Sequence, residues 1–483
     1  MSVLENLEPK LVFKYFEEIS KIPRGSGNEK GISDYLVQFA KDLGLEVIQD
    51  EVLNIIIKKP ASKGYENAPT VILQGHMDMV CEKNKDTVHD FTKDPIKLRI
   101  DGDYIYGTGT TLGADDGVAV AYAMAILADD TIAHPPIEVL LTIDEETGMT
   151  GAMNLNPNDL DGKIILNLDS ETEGELLVSC AGGVRTKSTF KMNFEEIQGD
   201  HVGLEVIING LSGGHSGMDI IKGRANSNKL MGRLLRKLYD KYDIRLSSIN
   251  GGSKDNAIPR EAEAMMTVNK AMLENLKNEI SEFEKVVKHE FSIQDPNVKI
   301  TINDNKQIDK IFDKKSTENV INALYLYPNG INTMSMAIEK LVESSTNIGV
   351  VATNNDEVSF DSAVRSSVPT LREEIVLRSK TLTEMLGGGF ETHAEYPAWE
   401  YKKESPIRDI CVNVYKEMYG KEPEIVAIHA GVECGLFEEK LGDLDMVSFG
   451  PSVFDAHSPQ EHASIKSIQN VWEYLLNVLK EIK

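Results

Sequence analysis

The sequence predicts an α/β fold: one layered α/β domain interrupted by an inserted α+β domain. Three observations carry this reading. Apolar, β-branched runs alternate with helix-period segments over residues 1–184, polar strand patterns and long charged helices fill 185–389, and apolar α/β character returns over 390–483. Strands that read as unbroken apolar runs have both faces covered by helices, whereas alternating ones keep one face wet.

Taken in order, residues 9–20 and 29–43 repeat apolar residues at helical spacing, and Gly44 stands where a helix stop belongs. The runs NIIIK (54–58), TVILQG (70–75), IEVLLTI (137–143) and KIILNLD (163–169) read as strands, with the apolar helix DGVAVAYAMAILAD (116–129) between the second and third. Past CAGGVR (180–185), the strand pattern HVGLEVIING alternates with helices such as NKLMGRLLRKLYDKY and ENLKNEISEFEKVVKHEF. Two similar strand-helix-strand-strand stretches flank residue 305, as an internal duplication would leave them. After the glycines 387–389 come IVAIHAGVECGLF, DMVSFGPSVFDAHSP and a last helix over 463–481.

At 483 residues the chain is too long for one ordinary core, which agrees with two domains. Its net charge of −26 repels phosphate backbones and anionic lipid, so neither nucleic acid nor a membrane is expected as a partner. The start, MSVLENLEPKLVFKYFEEI, lacks the charged and then apolar regions of a signal peptide, and the expected location is the cytoplasm. Cys81, Cys180, Cys411 and Cys434 are scattered without CxxC spacing, which speaks against disulfides and cysteine-rich zinc sites.

Acids and histidines cluster just beyond the strands, in GHMDM (75–79), GADDG (113–117), DEETG (144–148), NLDSE (167–171) and FDAHSP (454–459). Each alone has a bland explanation: a structural His-Asp pair, acids capping a helix, a solvated turn. Ligands of α/β sheets bind beyond the carboxyl ends of strands, so clusters at several such ends converge on one site, and their donors are those of a metal centre. GTGTTLGADDG is no phosphate cradle, because no GK[ST] follows and its two acids would repel phosphate. No GxSxG elbow supports a serine nucleophile.

In chain order, GHMDM, GTTLGADDG, DEETGMTGA, NLDSE, GGHSG (213–217), HAGVECG (429–435) and HSP (457–459) resemble the M20 family of di-zinc peptidases, and within it the aminoacyl-histidine (Xaa-His) dipeptidase branch. The resemblance implies a zinc-peptidase-like catalytic domain, its mixed sheet covered by helices, made of 1–184 and 390–483. Residues 185–389 become a lid, which in the family can also carry a homodimer. It implies two divalent metal ions, Zn²⁺ first with Mn²⁺ or Co²⁺ as alternatives. His76 and Asp169 would hold one, Glu146 and His457 the other, and Asp115 would bridge them. Asp78 corresponds to the acid that hydrogen-bonds His76, and Glu145 to the general base acting on a metal-bridging hydroxide. His215 would stabilise the oxyanion as the lid closes, while Asn256 and Arg365 would grip the substrate. The branch often has Asn where Asp116 stands, which adds a charge beside the metals.

The chemistry of that set is self-consistent. Three ligand carboxylates and a hydroxide neutralise two divalent ions, and a carboxylate free of metal, as Glu145 would be, can move protons. Residues i and i+2 of an extended segment share a side, which puts Asp78 beside His76. For Arg365 the rival reading is a surface salt bridge. The expected activity is hydrolysis of short, unblocked peptides, carnosine-like Xaa-His dipeptides among them. The rivals are N-acyl amino acids or tripeptides as substrates and, in another class, an inactive peptide-binding scaffold.

Overall fold

In the computed structural model, which describes residues 2–483, the first segment forms α1 (Lys10–Ile19), α2 (Lys30–Asp42), β1 (Glu46–Gln49), β2 (Ile55–Lys59), β3 (Val71–His76), α3 (Ala114–Ala128), β4 (Ile137–Thr142), β5 (Ile164–Asn167) and β6 (Glu175–Cys180). The middle of the chain forms β7 (Gly182–Lys191), β8 (His201–Asn209), α4 (Ser227–Tyr242), β9 (Arg245–Gly251), β10 (Ala262–Asn269), α5 (Leu273–Glu290), β11 (Lys299–Lys306), α6 (Lys314–Leu326), β12 (Val342–Asn354), β13 (Glu357–Ser366), α7 (Pro369–Met385) and β14 (Gly389–Tyr396). The last segment supplies α8 (Pro406–Tyr419), β15 (Glu424–Ile428), α9 (Glu433–Leu441), β16 (Asp445–Ser448) and α10 (Ile465–Glu481).

Two units result. The first comprises Met1–Ser179, Tyr401–Ala427 and Val432–Lys483, and the second Cys180–Glu400 with Ile428–Gly431. The inserted unit is thus longer at both ends than the 185–389 read from the sequence. The reason is strand pairing: β7 pairs with β13 from Gly182 onward and with β14 as far as Tyr396, so both margins belong to its sheet. The short piece Ile428–Gly431, read as part of the last segment, also falls in the second unit, where Ala181 N donates to the carbonyls of Ile428 and Ala430.

In the first unit an eight-stranded sheet runs β1-β2-β4-β3-β5-β16-β6-β15. β3 lies parallel to both β4 and β5, and every residue of β3 and β4 is buried, which is why VILQGH and IEVLLT read as unbroken runs. α3 is apolar all round because it is buried all round, between α1 and β3.

In the second unit a nine-stranded antiparallel sheet runs β11-β8-β10-β9-β12-β13-β7-β14, with Gly330–Met334 pairing on β12. Its two halves repeat one arrangement in opposite strand order across the sheet. β8-α4-β9-β10-α5-β11 is one βαββαβ motif and β7-α6-β12-β13-α7-β14 the other; they meet where Gly251 of β9 faces Val351 of β12. One motif is inserted in the other directly after its first strand, so the two motifs do not lie one on either side of residue 305 as the sequence suggested. On β8, Leu204, Val206 and Ile208 are buried and alternate with partly exposed neighbours. They pack with Leu234 and Leu238 of α4 and Ile280, Phe283 and Val287 of α5 in one apolar core.

Candidate metal centre

Strand register delivers the acids. His76 ends β3 opposite Thr142, the last residue of β4, so Asp144, Glu145 and Glu146 emerge just past the same edge. Gln74 is level with Asn167, the last residue of β5, which brings Asp169 out beside His76. Asp115 enters from the first turn of α3, and His457 from the loop joining strands Val453–Phe454 and His462–Ser464.

His76 Nε2 lies 3.1 Å from Asp115 Oδ1 and 3.3 Å from Asp169 Oδ1. His457 Nε2 lies 3.1 Å from the other oxygen of Asp115, Oδ2, and 2.9 Å from Glu146 Oε2. The five side chains therefore gather as two trios sharing Asp115. Asp116 also lies close: His76, Asp116 and Asp169 can bring one ligand atom each within 4.8 Å of one another, as can His76, Asp115 and Glu146.

The electrostatics favour added positive charge. Burial disfavours a charged His76, yet Asp169, Asp115 and Asp78 drive its pKa well above the ordinary value. Asp115 and Glu146 raise His457 to about 11. Burial drives Asp169 up to about 6 against the pull of His76. The acids thus press both imidazoles toward their charged form. Glu146 Oε1 is buried without a hydrogen-bond partner. An oxygen-rich, thiolate-free donor set with an unpartnered carboxylate oxygen fits divalent cations of the Zn²⁺ or Mn²⁺ kind.

The neighbouring acids divide their roles. Asp144, at φ +57°, is a turn acid: its carboxylate accepts from Thr147 and Thr150 Oγ1, and its carbonyl from Gly148 N and Met149 N. Asp78 is fully buried, with Oδ1 3.4 Å from His76 Nδ1, and it accepts from Ser26 Oγ (2.7 Å), Glu145 N (3.1 Å) and Glu146 N (3.3 Å). It holds the turn carrying Glu145 and faces Nδ1 of His76, which has no hydrogen-bond partner of its own. Burial pushes the Glu145 carboxyl well above the ordinary range, and Asp169, Glu433 and Glu146 add to this against His76. Asp116 Oδ2 accepts from His76 N (3.2 Å), and burial first, then the charge of Asp169, raises its pKa strongly.

Four residues escaped the sequence reading. Glu171 closes NLDSE, and burial, with Asp115 and Asp169, raises it to about 7. Glu433, inside HAGVECG, is buried beneath the site and accepts from Gln74 Nε2 and Thr142 Oγ1, both at 2.7 Å. Glu461 follows the HSP stretch, and Arg24 belongs to no local pattern at all; both are buried. Only the first three carried a signal, as further acids inside or beside a cluster already singled out.

In the second unit, His215 pairs in a two-residue strand with Ala257. Its Nδ1 accepts from Met218 N (3.1 Å) and Gly217 N (3.3 Å), which leaves the proton on Nε2; burial first, then Arg365, lower its pKa. Asn256 stands beside it, its carbonyl accepting from Ser216 N at 2.8 Å. Arg365 is no surface salt bridge. It is 4% exposed, donates from Nη1 to Tyr396 Oη at 2.5 Å, and has an unpartnered Nε. His429 is buried too, with Nε2 2.7 Å from Ser345 Oγ.

Comparison with known proteins agrees with this chemistry. The model of peptidase family M20/M25/M40 matches residues 72–481. The cytosol non-specific dipeptidase of Escherichia coli (strain K12) is 39% identical over 482 residues, 100% of this chain and 99% of that one. The crystal structure of the aminoacylhistidine dipeptidase from Vibrio alginolyticus matches with a TM-score of 0.96 at 39% identity, over 99% of this chain and 98% of that one. Aminopeptidase PepT from Bacillus cereus, at 17% identity and a TM-score of 0.57 over 99% of both chains, shares the fold. With a family match over most of its length and relatives aligned end to end, the chain belongs to peptidase family M20/M25/M40 and is a metallopeptidase.

Proposed function

We propose that the protein is a dipeptidase for short, unblocked peptides, with Xaa-His and broader dipeptides as substrates, and that it works with two divalent metal ions, Zn²⁺ first and Mn²⁺ or Co²⁺ as alternatives. The observation that supports this most is the two-sided carboxylate of Asp115, each oxygen 3.1 Å from a different histidine. His76 and Asp169 would hold one ion, His457 and Glu146 the other, and Asp115 both. Such ions, when bound, polarise the scissile carbonyl and lower the pKa of water from about 15.7 toward about 7.

Glu145 takes the proton of the attacking water and returns it to the leaving amine; its raised pKa suits a group that must do both. Asp78, its Oδ1 3.4 Å from Nδ1 of His76, favours the ring orientation that turns Nε2 toward Asp115. His215 offers Nε2–H to the developing oxyanion, a contribution of about 2.7 to 4 kcal/mol. Arg365, buried with an unpartnered Nε, takes the free carboxylate of the peptide, helped by Asn256. The printed names of the two full-length relatives, a cytosol non-specific dipeptidase and an aminoacylhistidine dipeptidase, support the substrate class, and the first supports a cytosolic location. Among the described residues no helix is long and apolar enough to cross a membrane.

The deciding experiment is a panel of dipeptides, Xaa-His included, with tripeptides and N-acyl amino acids, run on metal-stripped protein restored with Zn²⁺, Mn²⁺ or Co²⁺ in turn. Turnover of dipeptides above the other classes is expected. Inactivity toward every dipeptide with every metal would overturn the reading.

A further inference from the structure

His457 raises a problem of support. From Phe454 to Gln460 no residue is buried, the His457 side chain is 52% exposed, and its backbone sits at φ +61°. Ser458 ties the loop to itself, its Oγ donating to the carbonyl of Asp455 (2.7 Å) and accepting from Gln460 N (3.2 Å). None of this fixes the imidazole relative to Asp115 and Glu146.

The anchor is Glu461, 2% exposed. Its Oε2 accepts from Leu112 N (2.8 Å) and Gly113 N (3.1 Å), and its Oε1 from Ala114 N (2.8 Å). Three successive N–H groups converge on one carboxylate because Gly113 lies in the left-handed region at φ +69°, which curls the backbone into an anion-binding nest. The next residue is Asp115. On the other side of that turn, Arg24, also 2% exposed, donates from Nη1 to the carbonyls of Met77 (2.9 Å) and Asp78 (3.0 Å) and from Nη2 to that of Gly113. A Cβ on Gly113 or Gly117 would meet Arg24 Nη2 at 2.6 or 2.5 Å, so both glycines make room for the guanidinium.

We propose that Glu461 and Arg24 are positioning residues that lock three segments, those bearing His76, Asp115 and His457, into one frame, with Glu461 setting the site nearer His457 and Glu146. The proposal rests on the di-metal reading above. Neither residue is a ligand of that reading, and neither moves a proton; each acts through backbone it holds in place.

A merely structural role predicts something different, and Glu138 provides the control. It is equally buried at 2%, accepts from Asp161 N (3.1 Å) and Gly162 N (2.9 Å) and pairs with Lys58 (2.9 Å), all at the end of β4 and β5 opposite the ligands. The test is calorimetric titration of metal-stripped wild type, Glu461→Gln, Arg24→Lys and Glu138→Gln with Zn²⁺ alone, alongside their melting temperatures. Glu461→Gln is expected to weaken one of two ions by about 10- to 100-fold while the other changes far less, and Arg24→Lys to weaken both. Glu138→Gln is expected to melt earlier with both affinities kept. Wild-type affinities in Glu461→Gln, or a loss no larger than that of Glu138→Gln, would overturn the proposal. If Glu461→Gln fails to fold, Arg24→Lys decides alone, and wild-type binding by it would overturn the proposal equally. Wild-type protein that takes up no Zn²⁺ would instead remove the di-metal reading, and the frame with it.

Discussion

The two units treat buried charge in opposite ways. The first gathers Asp78, Asp115, Asp116, Glu145, Glu146 and Asp169 at the ends of parallel strands, with His76 and His457 among them and Arg24 spent on backbone carbonyls. The second buries Arg365 on an antiparallel strand with no carboxylate at ion-pair distance among the described residues, diagonal to Arg185, whose partner is Asp255. An excess of buried acid suits cations, and an unpaired buried guanidinium suits an anion. The first sheet edge therefore favours bound cations, and the second unit keeps a buried positive charge that an anion could neutralise.

The contrast breaks most severely at Glu145. Glu145→Gln should cut kcat by about 10²- to 10⁴-fold while bound metal, measured by elemental analysis, stays at the wild-type level. Chelation is the next largest effect: stripping ions held at 1,000 times their Kd should remove about 4 kcal/mol of stability, read as a fall in Tm that added Zn²⁺ restores. The acid charges of the first unit would then be left facing each other.

Arg365→Met tests the other sheet. It should raise KM for free dipeptides by about 10- to 100-fold with a smaller change for C-terminal amides, because a charged hydrogen bond of about 1.5 to 3 kcal/mol is lost. Metal content should not move. The second unit also carries a pH signature. Burial first, then Arg365, pushes His429 down to about 3, so the folded form stays neutral where an unfolded chain, near 6.5, takes up a proton. Its contribution is complete above pH 6.5 and is lost as pH falls toward 3, about 2 kcal/mol by pH 5. Urea midpoints at pH 7 and 5 should therefore diverge in the wild type and converge in His429→Gln. The smallest effect is expected at Asp116. Asp116→Asn keeps an oxygen for His76 N, so metal affinity should hold and stability change by less than about 0.5 kcal/mol.

Much of the first unit was legible because its chemistry is local in sequence. His76 and Asp78 sit two residues apart at a strand end, and β3 and β4 announce themselves as unbroken apolar runs. The expected roles of Glu145 and Glu146 came from the family motif DEETG, itself one short local stretch. What stayed hidden depends on distant partners. Arg24 acts 53 and 89 residues away, on Met77 and Gly113, and Glu461 acts across 347 residues on Ala114, separations that no periodicity records. The joints of the second unit were misread for the same reason, since β7 and β14 are defined by pairing with each other and not by their own composition.

The doubled sheet of the second unit also bears on how far apart in sequence its strand partners lie. The motif β8-α4-β9-β10-α5-β11 is contiguous, from His201 to Lys306, and holds its strand partners within that span apart from the junction with β12. β7, though made earlier, pairs with β13 and β14, whose residues follow more than a hundred positions later. The strand partners of the inserted motif lie within it, whereas those of β7 lie beyond the insertion, so pairing β7 requires closing a far longer loop. The two halves look alike in the finished sheet, yet one assembles from local contacts and the other around it.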